Sequence, residues 1–396
     1  MNLLRTILQL LLCVQISPVF AAGEWSGNIS VETRLFPEET LHQGQGQQNF
    51  SLAVSPEYYL DWNNEAQRLV FHPFFRYDAN DDERTHAEMM ELYWRGSYGD
   101  FEITAGVAKV FWGVAESRHL VDIINQTDFV ENIDEEDKLG QPMVNLRFIK
   151  DWGTLDFFAL PYFRERTFPG KEGRLRSALV VDTDNPAFES GVEERHVDWA
   201  VRWSHYIGDW DIGIAHFSGT SREPVFIPVM TGDGLMLTPY YQQIDQTSLD
   251  LQATKGDWLW KLEAISNRNG IEDYFAAVGG FEYTITGVFN TVTDLGLLLE
   301  YHYDDRDDNA TTGLEDDLFL AGRWVFNDVA STEILAGIIV DQENSTIFGN
   351  IEASRRVAER WKIVIEARIF SNIDSSEGLF DLRDDDYMEL QAIRYF

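Results

Sequence analysis

The chain of 396 residues has one cysteine, Cys13, and few bases: 31 Lys and Arg against 67 Asp and Glu, a formal charge of −36. With its only cysteine at position 13, nothing downstream can form a disulfide, a thiolate zinc site or a cysteine nucleophile. So large an acidic excess argues against nucleic acid as a partner, because phosphate binding needs a local surplus of Lys and Arg. Beyond residue 22 no apolar run reaches the roughly 18 residues that a membrane-crossing helix requires. Motifs of the HExxH and EF-hand kind are missing, so no metal site is expected. The eight histidines are scattered, and no spacing unites a Ser, a His and an acid. Neither enzymatic activity nor a cofactor is expected. What is present, 44% apolar residues and 13% aromatics, is too rich for a disordered acidic tail. A soluble acidic protein and a membrane β-barrel remain.

The N-terminus carries Arg5, an apolar stretch from Ile7 to Phe20, and a small residue at −3 and −1 of a cut after Ala21. This is the pattern of a secretory signal peptide over 1–21, followed by one domain over 22–396. Cys13 leaves with such a signal.

The rest alternates. Val197, Trp199, Val201 and Trp203 interleave with Asp198, Ala200, Arg202 and Ser204. Trp361, Ile363, Ile365, Ala367 and Ile369 interleave with Lys362, Val364, Glu366, Arg368 and Phe370. Period 2 means strands with one apolar and one polar face. A β-sandwich alternates too. Two features favour a barrel: charges sit in mid-segment on the polar face, and Trp and Tyr recur near segment ends, as aromatic girdles require. The expected fold is all-β, a closed antiparallel transmembrane barrel of about eighteen strands, with sixteen as the alternative. Acid runs such as Asp81-Asp82-Glu83, Asp134-Glu135-Glu136-Asp137 and Asp384-Asp385-Asp386 fall in the long connections on one rim, while the other rim has short turns.

Ionised side chains facing lipid near the midplane cost roughly 2–4 kcal/mol each for Arg or Lys, so the charged face points into the lumen. That assigns Arg68, Arg76, Arg95, Arg147, Arg164, Arg202, Lys261, Lys362 and Arg368 to the wall, with Asp156, Asp198, Glu263, Glu300 and Glu366. Such a wall selects solutes or, as the alternative, stiffens a closed barrel through mutual pairing. The longest interruption of the pattern is residues 110–140, and a stretch of about thirty residues without a strand tends to be functional. It opens with Phe111-Trp112-Gly113, carries the apolar run His119 to Asn125, and ends in Asp134, Glu135, Glu136 and Asp137. Trp112 and Gly113 are expected to throw it inward. Its acids are then expected to face Arg147, Arg164 and Arg202 across a narrow passage, creating a transverse field. The other course open to this loop is to lie over the mouth.

Three features carry a family resemblance. The chain ends on an aromatic residue in its last strand, Tyr395-Phe396, although Arg394 departs from the apolar residue usual two before the end. The third loop resembles the constriction loop of bacterial porins. The stretch Ala105 to Gly113, AGVAKVFWG, resembles a strand and Trp-Gly turn of uncharacterised porin-like and alginate-export-like barrels. The resemblance implies a Gram-negative outer-membrane location and passive diffusion of small hydrophilic solutes. Alternatives are a sealed structural or assembly barrel and a conduit for an anionic polysaccharide. Expected partners are outer-membrane lipid and lipopolysaccharide, through Ca or Mg bridges to the acidic loops, and two further copies of the chain in a porin-like homo-trimer.

Overall fold

The computed structural model describes residues 23–396 other than 233, 271, 308, 309, 311, 312, 345 and 376. The expected signal peptide therefore lies outside the described residues. Among the described residues twenty-one strands follow in chain order. The first seven are β1 Glu24–Leu35, β2 Gln48–Trp62, β3 Gln67–Asp78, β4 Ala87–Tyr98, β5 Phe101–Ala108, β6 Gln141–Lys150 and β7 Gly153–Leu160. Next come β8 Ala187–Phe188, β9 Asp198–Ile207, β10 Trp210–Thr220, β11 Val225–Thr231, β12 Gly234–Tyr241, β13 Gln243–Lys255 and β14 Trp258–Arg268. The last are β15 Asp273–Ile285, β16 Asp294–Asp304, β17 Asp317–Val325, β18 Glu333–Asp341, β19 Ile347–Ala358, β20 Trp361–Ser371 and β21 Tyr387–Tyr395.

Eighteen of these strands form one antiparallel sheet, and β21 returns to β1 with Asn28 opposite Tyr395 and Leu35 opposite Met388. That pairing closes the sheet and leaves no edge. The barrel thus has eighteen strands, not sixteen. The other three, β8, β11 and β12, form a small sheet at the long-loop rim.

Alternation and turn residues in the sequence predict one strand over 153–164 and one over 238–253, and the structure corrects both. The strand read from the sequence over 153–164 stops at Leu160, because Pro161 has no N–H to continue the ladder. The segment read as one strand over 238–253 is two, β12 and β13, which belong to different sheets. No Gly or Pro stands between Tyr240 and Gln243 to mark the break.

The molecule is inside-out relative to a soluble protein. Phe50, Phe75, Trp260 and Ile369 on the outer face are each between 45% and 50% exposed, whereas Glu263, Glu300 and Arg368 on the inner face are at 0–1%. The main apolar cluster sits inside the barrel. There Trp112, Val121 and Ile124 from the connection after β5 pack on Phe158, Phe217, Ile244 and Ile265 of the wall.

Candidate constriction loop and lumen wall

Residues 109–140, joining β5 to β6, turn into the barrel. Gly113 makes the turn at φ +150, and a Cβ there would lie 2.8 Å from His119 Nδ1 and 3.2 Å from Glu263 Oε1. Only glycine fits that close approach. Trp112 is buried edge-on against Phe158, with the Arg202 guanidinium 5.0 Å from its ring centroid.

Past the turn, wall carboxylates accept the loop's backbone N–H groups. Glu263 on β14 accepts from Val114 at 2.6 Å and Ala115 at 2.9 Å through Oε1, and from Val121 at 3.2 Å through Oε2. Glu300 on β16 accepts from the N–H of Glu116 at 2.8 Å and of Ser117 at 2.9 Å, and from the Ser117 hydroxyl at 2.5 Å. An ionised carboxylate is acceptor-only, which suits a run of unpaired N–H donors. Glu116 then pairs with Arg323 on β17 at 2.6 Å and with Lys261 on β14 at 3.4 Å. In the ring of eighteen strands β17 lies across from β5, so the loop spans the lumen.

The return path runs along the other side. Asn132 donates to Glu366, and Asp134 meets Arg368 at 2.9 Å, both on β20. Glu131 pairs with Arg76 on β3 at 2.5 Å, while Arg34 on β1 and Arg84 donate to its carbonyl. Glu32 on β1 backs this contact, with Arg84 at 2.7 Å, Arg76 at 2.8 Å and Arg34 at 3.3 Å.

The loop's titratable groups are strongly displaced. Burial, then the charges of Glu131, Asp134 and Asp128, pushes the Asp137 carboxyl up to about 7. Burial raises Asp134 to about 6 despite Arg368, and raises Asp122 and Asp128 to about 6 as well. Burial also opposes the charge on Glu135, but Arg166, Arg118 and Lys138 outweigh it and hold that carboxyl at about 2. His119 sits between Glu136 at 3.0 Å and Glu263 at 3.8 Å. Burial alone would lower it, but the two carboxylates prevail and its imidazole rises to about 10.

The expected charge partners are corrected here. Asp134, Glu135, Glu136 and Asp137 do not face Arg147, Arg164 and Arg202. Arg147 pairs with Asp156 on the adjacent strand at 2.8 Å, and Arg202 with Asp250 at 2.6 Å. Arg164 is not a wall residue, since it lies beyond the end of β7 and pairs with Glu88 on β4. Arg147 finds its partner on the adjacent strand and Arg202 reaches past Gly213 of β10 to β13, so neither needs a cross-lumen partner. Arg68 pairs with Asp61 at 2.7 Å. Asp198 is buried, accepting from Arg222 at 2.9 Å and meeting His196 at 2.8 Å. Of the wall bases expected from sequence, Arg95 and Lys362 make no ion pair among the described residues. Both are half-buried near the short-turn rim, as are Arg68 and Arg147. Water therefore reaches the wall from that end.

Several residues escaped the sequence reading. Arg118, Arg166, Arg222 and Arg306 line a cavity of about 50 Å³ with Glu135, Glu223 and Asp304. These arginines, like Arg84, stand in connections where no periodicity assigns a direction. Glu32 and Arg34 on β1 share the period-2 phase of the wall, and that signal would have found them.

No protein-family model matches the chain, and no curated protein does. Among solved structures, two mutants of the Rh. blastica porin align over 95% of this chain and 100% of theirs. Their identities are 10% and 11%, each with a TM-score of 0.46. The chain is similar to these porins in outline, while its barrel rests on its own ladder of strand pairs.

Proposed function

We propose that the chain is an outer-membrane channel for passive diffusion of small hydrophilic solutes, with residues 109–140 as its constriction. The observation that carries this reading is the loop's course through the lumen to Arg323, with further contacts to the wall at Arg76 and Arg368. The lipid environment is supported by the outer face, since contiguous exposed apolar surface of this extent is unfavourable in water. A closed barrel also meets the demand that lipid makes on every backbone donor and acceptor. Export through a signal peptide cut after Ala21, and divalent bridges from the acidic rim to lipopolysaccharide, belong to the same reading. Catalysis has no part in it.

A second reading is a sealed barrel, favoured by the near-complete burial of Glu263, Glu300 and Arg368 beneath the loop. Single-channel recording in planar bilayers separates the two. The channel reading expects discrete conductance steps that grow when residues 126–138 are deleted. A heat-modifiable, correctly inserted protein without steps above background would establish the sealed barrel.

A further inference from the structure

Two groups of carboxylates come close enough to share an ion, and they differ in one respect. Asp134, Glu352 and Glu366 surround Arg368, whose guanidinium lies 2.9–3.4 Å from all three. The second group, at the long-loop rim, has no base paired with its Glu315 or Asp341 among the described residues. It joins Glu315, ahead of β17, with Asp341 at the end of β18 and Glu377 in the connection from β20 to β21; their candidate ligand atoms lie within 4.8 Å of one another. Oxygen ligands of one calcium ion, at about 2.3–2.6 Å from the metal, stand up to about 5 Å apart.

A fourth carboxylate stands beside this group. Asp317 stands opposite Asp341 in the β17–β18 ladder and is only 3% exposed. Its Oδ2 is buried without a hydrogen-bond partner. The charges acting on it are those of Asp341, Glu377 and Asp316, all carboxylates. A buried carboxylate oxygen with neither donor nor counter-charge is costly. Among the described residues no Lys, Arg or His forms an ion pair with Glu315, Asp317 or Asp341. Asp341 Oδ1 accepts the N–H groups of Glu343 at 2.6 Å and Asn344 at 2.9 Å, which fixes the turn that presents this carboxylate.

We propose that Glu315, Asp341 and Glu377, with the Asp317 carboxylate beside them, bind one calcium ion, which ties three rim connections together. An all-oxygen, carboxylate-rich set selects a hard cation over zinc or copper. Its irregular spacing suits the flexible coordination of calcium better than the strict octahedron of magnesium.

The test is calorimetric titration of the full chain in detergent with CaCl2 at pH 7.5, after stripping with a chelator. One saturable site per chain is expected, weakened at least tenfold in Asp317→Asn and Glu315→Gln. The exposed rim pair Asp82→Asn with Glu83→Gln should leave it unchanged. Heat-modifiable migration on a gel checks folding, and Glu377→Gln replaces any variant that does not fold. Absence of saturable binding in the wild-type chain overturns the proposal. So does an equal loss in the Asp82/Glu83 control, which would mean diffuse attraction to an acidic rim. Equal affinity for MgCl2 would overturn the choice of calcium.

Discussion

Glu263 is fully buried, yet its charge is directed mainly at three backbone N–H groups of the loop. Hydrogen bonds to a charged group contribute about 1.5–3 kcal/mol. Glu263→Gln keeps the shape but turns one acceptor into a donor facing a donor. Local opening of residues 114–121 should become easier by an amount on that order, read as faster amide hydrogen exchange, while the thermal midpoint of the barrel stays put. Unchanged protection would reject the clamp. Glu32 differs, since three arginines converge on it. Breaking a buried pair of this kind costs about 3–5 kcal/mol, so Glu32→Ala should lower the thermal midpoint itself. At this scale the sequence was only half legible. Strand phase assigned Glu263, Glu300 and Arg368 to the inner face, because a period of two leaves no other choice. It led to Arg147, Arg164 and Arg202 as partners of Asp134 and Glu135 instead of Arg368 and Arg166, because a loop has no ladder to set its register.

The third connection is the element on which pH acts. Asp122, Asp128, Asp134 and Asp137 have carboxyls raised to between about 6 and 7. An acid raised in the docked state binds its proton more tightly there than when the loop is free. Docking therefore strengthens as pH falls from about 7 toward about 4. His119, raised to about 10, adds stability that is complete below its ordinary value and fades as pH climbs above it. Glu135, lowered to about 2, contributes above its ordinary range and loses that contribution on further acidification. The loop should be held most tightly near pH 5. Hydrogen exchange of residues 114–138, corrected for its intrinsic pH dependence, should show more protection at pH 5 than at pH 7.5; the reverse order would contradict the assignment. The strands themselves were legible almost throughout, since alternation and turn residues mark them locally. The β11–β12 hairpin was not, because it pairs with β8 across a long connection and runs into β13 without punctuation.

For the whole molecule, the closing pair β1–β21 makes the barrel one cooperative unit, so unheated protein should migrate faster on a detergent gel than boiled protein. Charge acts at this scale as well. The wall bases taken alone suggest weak selectivity that shifts toward anions with salt, but most of them are neutralised by an adjacent carboxylate. The net charge of −36 then dominates. If the barrel conducts, reversal potentials should show cation preference that weakens as salt shortens the Debye length below about 8 Å. Anion preference at low salt would contradict this.

Sequence by itself determined the alternating strands and the polar interior, and favoured eighteen strands and an inward third connection. These follow from periodicity, from the cost of a charge in lipid, and from apolar residues that cannot remain in an exposed loop. Tertiary structure alone decided where that loop is fastened and which acids keep a base beside them. Arg323 and Glu116 are far apart in sequence, and so are Arg368 and Asp134. Only closure of the eighteen-stranded ring brings β17 and β20 within reach of a loop that leaves from β5.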